Sequence, residues 1–172
     1  MNGKKWLVPT KVLCYFPPIP RFRRMYGTEH IAKDLTWHAC EQEVDGHLCH
    51  PTDSLSWKLV DYQWPNFSDD PKNLWLDISI DGINPHRTLS STHSCWPLIM
   101  AIYNLLPWLY MKKKFMLLTL LISSSKIFGK DIDVYLAPLV DDLKILWNDG
   151  VEMFDAYHQE IFYFKNCVAL DN

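Results

Sequence analysis

The sequence predicts an α/β fold in which three extended segments are followed by a helix and then by a further strand. The first segment, residues 74–80, alternates apolar and polar side chains with the two-residue period of a strand. The third, residues 115–122, is almost continuously apolar, which is typical of a central strand covered on both faces. The helix, residues 135–147, carries apolar side chains at three- and four-residue spacing.

The other sheet segments give weaker signals. Residues 96–104 predict the second strand, and residues 160–170 predict an incomplete strand after the helix. Gly150 predicts the end of the helix, because glycine readily adopts the conformation that follows a last helical turn. Together these elements form a predicted core over residues 73–172.

A basic arm and two short helices are predicted before this core. Residues 1–27 contain four prolines, which favour an extended arm. Residues 28–72 form a small helical segment. Its first helix, residues 28–35, has Thr28 as N-cap, and its second, residues 51–62, follows Pro51. The apolar face of the second helix is predicted to consist of Leu55, Leu59 and Trp57.

Composition and charge indicate one globular domain with a polarised charge distribution. The chain has 172 residues, of which 48% are hydrophobic, enough to bury roughly 70% of the unfolded surface. The net charge is −3, but residues 1–33 hold seven Lys/Arg and one acid, whereas residues 131–172 hold nine acids and two bases. The basic segment predicts either contact with phosphate groups or a solvated arm. The candidate phosphate-binding residues are Lys4, Lys5, Lys11, Arg21, Arg23 and Arg24.

The cysteines and the apolar runs bear on compartment and membrane association. Five irregularly spaced cysteines favour free thiols in a reducing compartment. Residues 96–111 are interrupted by Asn104 and Pro107, and residues 115–122 are too short to span a bilayer. These runs therefore predict strands of a soluble sheet.

Asp81 is the candidate catalytic residue. It follows the first predicted strand at an Asp-Gly pair, which predicts a tight turn. A rigid strand end that leaves carboxylate oxygens uncovered is a suitable place for a divalent metal.

Other clusters of polar or aromatic residues favour structural roles. A loose His/Cys cluster lacks regular zinc-ligand spacing. Four tryptophans lie in apolar blocks, which favours packing over base stacking, and two acidic pairs favour helix capping and a solvated helix face. The residues concerned are His38, Cys40, His47, Cys49 and His50; Trp37, Trp57, Trp96 and Trp108; and Asp131, Asp133, Asp141 and Asp142.

Six sequence blocks, in order along nearly the whole chain, carry a resemblance to one family. They are YFPPIPRFRRMY (15–26), KDLTWHA (33–39), DGHLCHPTDSLSWKLVD (45–61), DGINP (81–85), SSTHSCWPLIMAIYNLLPW (90–108) and DIDVYLAPLVDDLKILWNDGVEMFD (131–155). The chain resembles the transposases of CACTA-type (En/Spm-type) DNA transposons, known mostly from plant genomes.

The resemblance implies a ribonuclease H-like core that cleaves and transfers DNA strands in the nucleus. In such transposases, acidic residues hold two divalent ions, Mg²⁺ or Mn²⁺. Asp81 matches the first of these acids, with Ile80 in place of the serine of the family pattern. The second acid is expected after the helix, and Asp171 falls a few residues short of it by register.

These matches predict a partial ribonuclease H-like core, a truncated and inactive transposase copy with Asp81 as its one catalytic residue. An alternative is a non-catalytic fragment that binds DNA or protein through its basic arm and aromatic surface. A further alternative is a decayed element without function, in which the apolar third strand is left near an open sheet edge.

Overall fold

The computed structural model of the chain describes residues 11–39, 50–83, 94–124 and 132–168. The fold is mixed α/β, with a five-stranded sheet, a two-stranded hairpin and five α-helices in these segments. The strands are β1 (Lys11–Tyr15), β2 (Leu74–Ile80), β3 (Ser94–Ile102), β4 (Leu117–Ser124), β5 (Val151–Asp155), β6 (Glu160–Phe164) and β7 (Asn166–Val168). The helices are α1 (Ile19–Tyr26), α2 (Glu29–Leu35), α3 (Leu55–Gln63), α4 (Pro65–Ser68) and α5 (Ile132–Asn148).

The main sheet has the strand order β1-β4-β3-β2-β7. Its pairs are antiparallel except that β7 runs parallel to β2, which it reaches after helix α5 and the β5-β6 hairpin. The predicted order of three strands, a helix and a later strand is therefore confirmed. The predicted bounds of the first strand coincide with those of β2.

One face of the sheet carries the main core. By register, Leu76, Met100 and Leu120 share this face, and each is fully buried. They belong to one apolar cluster with Phe22 and Tyr26 of α1, and with residues of α2, α5 and the hairpin. Each such side chain contributes about 1.5–3 kcal/mol by leaving water. Elements at both ends of the sequence thus share one core.

The opposite face of the sheet is covered by aromatic side chains beside β2. Trp75 stacks on Trp57 of α3 with ring centroids 4.1 Å apart, and Phe67 packs edge-on at 5.7 Å. The predicted apolar face of the second helix is therefore wrong in part. Trp57 is buried, but Leu55 is 84% and Leu59 63% exposed, because Trp75 offers an aromatic partner to only one side of this short helix.

The buried amide of Asn104 joins the ends of two strands. Its Oδ1 accepts a hydrogen bond from the backbone N–H of Trp75 at 2.6 Å, and its Nδ2 donates to the carbonyl of Asn73 at 2.9 Å. Asn104 is fully buried, so these bonds are made away from water. This side chain replaces backbone pairing where β2 begins and β3 ends.

The prediction of an extended arm is wrong for the part that the structure describes. Residues Lys11–Tyr15 form β1, which pairs with β4, and Ile19–Tyr26 form α1. Pro18 and Pro20 lie at the start of α1, where backbone N–H groups have no helical acceptor and proline costs little. The proline cluster therefore begins a helix. The division into three domain segments stays a prediction.

Strand β1 also changes the position of the apolar third strand. This strand, β4, lies between β1 and β3, so its predicted place near an open edge is wrong. The hydroxyl of Tyr15 in β1 donates a hydrogen bond to the carboxylate of Asp142 in α5. Burial and this bond both raise the pKa of Tyr15. Asp142 therefore secures the edge strand, rather than lying on the fully solvated face predicted for it.

The predicted C-terminal strand is divided into two. Strand β6 pairs with β5, and after Lys165 the chain joins the main sheet as β7. The buried Asn73 stabilises the connection between β6 and β7, because its Oδ1 accepts a hydrogen bond from the backbone N–H of Lys165 at 2.9 Å. The prediction that Gly150 ends the helix is confirmed, with φ of 72° at this residue. In the described segments, no helix has the length and hydropathy needed to cross a membrane.

Candidate metal-binding acid and basic groove

Asp81 lies immediately after β2, and its side chain is exposed. One carboxylate oxygen, Oδ1, accepts a hydrogen bond from the backbone N–H of Gly82 at 2.7 Å. Such a bond restricts the rotation of the carboxylate. Asp81 therefore presents an oriented, accessible oxygen ligand at the end of a strand.

The Asp-Gly pair is not the tight turn that the sequence predicts. Ile83 and Cys95 exchange two backbone hydrogen bonds of 2.8 Å, in the same register that pairs Ile80 with Leu98. This register places Asp81 opposite Pro97, which has no backbone N–H to donate. The regular strand ends there for that reason, while the chain continues beside β3.

Trp96 fixes the backbone beside Asp81. A β-carbon added to Gly82 would come within 2.8–3.0 Å of three atoms of the Trp96 ring system. Real contacts of a β-carbon are essentially never shorter than 3.0 Å, so a larger residue at position 82 would require the outer ring atoms of the indole or the backbone to move. Trp96, predicted to pack, thus positions the strand end that carries the acid.

Further carboxylates are separated from Asp81 along the sheet. Asp77 lies four residues earlier on the same strand, roughly 13 Å away, which is too far to share one ion bound at about 2.1 Å. In the parallel pair, the last rung between β2 and β7 joins Leu76 to Val168. Asp171 lies outside the described residues. Within those residues, no group of three or more His, Cys, Asp and Glu could hold a metal.

The predicted phosphate-binding cations are separated by the fold. Arg21 and Arg24 of α1 line a groove together with Lys113 and Lys114, which precede β4. Arg23 lies exposed on the same helix and does not line the groove. Lys11 begins β1 opposite Ser124, toward the end of the sheet where Asp81 lies. Lys4 and Lys5 lie outside the described residues.

The groove and Asp81 lie toward opposite ends of the sheet. Leu117, which lines the groove, shares a rung with Met100 and Ile78. Asp81 is three residues beyond Ile78 and two strands away from β4. With strand rises near 3.4 Å and spacings near 4.8 Å, the separation is roughly 14 Å.

Two of the five residues of the predicted His/Cys cluster have structural partners. The Nε2 of His50 lies 3.1 Å from the carbonyl of Leu105, and its Nδ1 lies 3.0 Å from the hydroxyl of Thr52. Nδ2 of Asn104 lies 3.3 Å from Nε2 of His38. Burial lowers the pKa of His38 to about 4 and also lowers that of His50. Cys40, His47 and Cys49 lie outside the described residues.

The remaining sequence predictions around the site are mixed. Trp57 is buried as predicted, but Trp108 is 65% exposed, so its predicted packing is wrong. Asp133 lies in the first turn of α5, where an acid complements the helix dipole, and Asp131 lies outside the described residues. Sequence reasoning missed Lys113 and Lys114 as site residues. The signal that could have found them is the run of three lysines at 112–114, between the two apolar runs.

Comparison with known families identifies the chain. Residues 45–170, about three quarters of its length, match the family described as transposase family tnp2. The chain belongs to this transposase family. The match includes β2 with Asp81 and the lysine-bearing segment before β4, but it begins after β1 and α1. No curated protein matches the chain.

The family membership confirms the resemblance to a transposase. A transposase acts on DNA, so the family implies DNA as the partner.

Proposed function

We propose that this chain is part of a CACTA-type transposase, in which Asp81 is the first metal-binding acid of a ribonuclease H-like core. The observation that carries this proposal is the position of Asp81 at the end of β2, between antiparallel β3 and parallel β7. Parallel neighbours end at the same edge of a sheet, so an acid at the carboxyl end of such a strand comes beside Asp81. This arrangement supports a carboxylate cluster at that edge.

The role of Asp81 is to hold a divalent ion at the DNA backbone. Asp81 would help to hold Mg²⁺ or Mn²⁺, and the bound ion would supply activation of a water or a DNA 3′-hydroxyl and stabilisation of the leaving oxygen. Asp81 contributes a hard oxygen ligand whose orientation is restricted by the N–H of Gly82. The indole of Trp96 packs against Gly82, the residue next to this acid.

A single carboxylate holds Mg²⁺ weakly, because this ion retains several waters and requires further anchoring ligands. In the described part of the chain, Asp81 belongs to no metal-holding group. We therefore propose that the 172-residue chain alone does not cleave DNA, and that Asp81 acts catalytically only together with further acids. The same proposal assigns the protein to the nucleus, where its DNA substrate resides.

Paramagnetic broadening by Mn²⁺ tests the assignment of Asp81 without requiring activity. In spectra of the labelled chain, Mn²⁺ at low concentration should broaden the amide signals of Gly82 and Ile83 before those near other exposed acids. The Asp81→Asn variant should lose this selective broadening. The matched control Asp69→Asn alters another exposed aspartate and should leave it unchanged. Equal broadening around Asp69 and Asp81 would remove the assignment.

A plasmid-nicking assay tests the proposed inactivity separately. With Mg²⁺ or Mn²⁺, the chain should produce no more nicked plasmid than buffer does. Metal-dependent nicking that Asp81→Asn abolishes would overturn the inactivity and support the role of Asp81. Nicking that persists in Asp81→Asn would contradict both.

A second candidate function is non-catalytic DNA binding. It is favoured by the groove lined by Arg21, Arg24, Lys113 and Lys114, which lies away from Asp81. The two functions are compatible within one transposase, and variants in the two places test them independently.

A further inference from the structure

The groove between α1 and the segment before β4 is strongly basic. It encloses about 400 Å³, and among the nine described residues that line it are four cations and no carboxylate. The cations come from two parts of the sequence, Arg21 and Arg24 on one side and Lys113 and Lys114 on the other. Like charges held together repel one another, so this arrangement favours a bound anion.

The cations are partly pre-positioned by the protein. Nη1 of Arg21 donates to the carbonyl of Leu118 at 3.0 Å, which ties α1 to β4 and fixes the guanidinium. The Nζ of Lys114 lies 5.0 Å from the ring centroid of Phe115. Arg24, Lys113 and Lys114 are exposed and so remain accessible to a ligand. Pre-positioned cations lose less side-chain entropy on binding than free ones.

The floor of the groove suits a polymer with alternating charged and less polar parts. It includes Met25, Ile31 and Leu117, which are buried or nearly so. A DNA strand offers phosphates to the rim and deoxyribose to such a floor. The net charge of the whole chain is −3, so a local concentration of cations is needed to attract DNA.

We propose that this groove binds the phosphate backbone of DNA at a position separate from the metal-binding edge. The proposal rests on the proposed function for its ligand, DNA, and adds the surface and the residues that contact it. Leu117, in the floor of the groove, lies roughly 14 Å from Asp81 along the sheet backbone, which at about 3.4 Å per nucleotide is at least about four nucleotides. The groove therefore holds DNA that flanks the site of cleavage.

Two double variants with equal loss of charge test the groove. Arg24→Gln with Lys113→Gln removes two groove cations. The control, Arg23→Gln with Lys112→Gln, removes two exposed cations from the same helix and the same lysine run, neither of which lines the groove. Arg21 is left unchanged because its bond to Leu118 also supports the fold. Circular dichroism and thermal unfolding establish that both variants fold.

Affinity for a short fluorescein-labelled DNA duplex of arbitrary sequence is measured by anisotropy between about 50 and 200 mM salt. The groove variant should raise Kd at least about tenfold at the lowest salt. It should also reduce the slope of log affinity against log salt by about 1.8, because each phosphate that the protein no longer neutralises reduces this slope by about 0.9. The control should change both quantities much less.

Three outcomes would overturn the proposal: absence of binding by the wild-type chain at low salt, equal weakening in both double variants, and no weakening in the groove variant. Equal weakening would show that net charge, rather than this groove, attracts DNA. The affinities are measured in metal-free buffer with Asp81 unchanged, so they do not depend on the metal assignment. Failure of the groove variants therefore leaves the metal assignment intact, and failure of the Mn²⁺ experiment leaves the groove intact.

Discussion

The indole of Trp96 lies against Gly82 so closely that a β-carbon there would meet its ring at 2.8 Å. Gly82→Ala should therefore destabilise the fold by about 1–3 kcal/mol, the usual cost of overpacking. Chemical denaturation measures this change. Combining it with Trp96→Leu should recover part of the loss, because the smaller side chain removes the clash. Strictly additive effects in this double-mutant cycle would show that the two residues are not coupled.

Gly150 ends helix α5 with a positive φ of 72°, and a β-carbon there would lie 3.2 Å from the carbonyl oxygen of Phe164. Gly150→Ala should lower the free energy of unfolding by about 1 kcal/mol or more. Gly150→Asn should cost less, because asparagine tolerates the left-handed region better, although it meets the same oxygen. Urea titration of both variants gives the comparison. An alanine variant as stable as the wild type would contradict the strained position.

The buried amide of Asn104 should contribute strongly to stability. Asn104→Ala leaves the N–H of Trp75 and the carbonyl of Asn73 without their partner, so we expect a loss of about 2–4 kcal/mol. Asn66→Ala, at an exposed position of α4, is the matched control and should change stability by less than about 0.5 kcal/mol. Comparable losses in both variants would argue against the bridging role.

Acid should weaken the fold through His38. Burial lowers its folded pKa from 6.5 to about 4, so between these values the unfolded chain binds a proton that the native state does not. The free energy of unfolding should therefore fall as pH drops from about 6.5 toward 4, by about 1–3 kcal/mol. His50, whose pKa burial also lowers, acts in the same direction. Urea unfolding at about pH 7.5 and about pH 5 measures the change.

The variant His38→Gln should show a smaller loss of stability across this range. His30→Gln removes an exposed histidine and should retain the pH dependence of the wild type. Identical pH dependence in all three proteins would exclude His38 as its source.

The central strands were predictable because their signals are local. Residues 74–80 alternate regularly, and the apolar run at residues 115–122 has the length and composition of a covered strand. Helix α5 repeats its apolar residues at helical spacing. Each pattern involves only residues of a single strand or helix, so it can be recognised without knowing which strands pair in the sheet.

Strand β1 and helix α1 were not predictable in the same way. Lys11–Tyr15 is short, and it becomes a strand because β4 offers an unpaired edge more than a hundred residues later. The prolines before α1 favour an arm when read alone, yet they also suit a helix start. The helix forms rather than an arm because residues of α1 pack in the main core with distant parts of the chain.

The sequence analysis named Asp81 and two of the four groove cations, Arg21 and Arg24, but it missed Lys113 and Lys114. Asp81 was identified from its place at a strand end, and the structure does place it there. Arg24 and Lys113 line the same groove only because α1 packs beside the segment that precedes β4. No local pattern in the sequence joins two such distant segments.

The pairing of β1 with β4 also affects synthesis of the chain. β1 leaves the ribosome before β4, which emerges only after about a hundred more residues, on the order of 5–20 s at usual elongation rates. During that time Leu13 and Tyr15, which pack against the finished core, remain uncovered. Strand β1 is thus placed well after it is made, and its apolar side chains should be exposed in a nascent chain until β4 arrives.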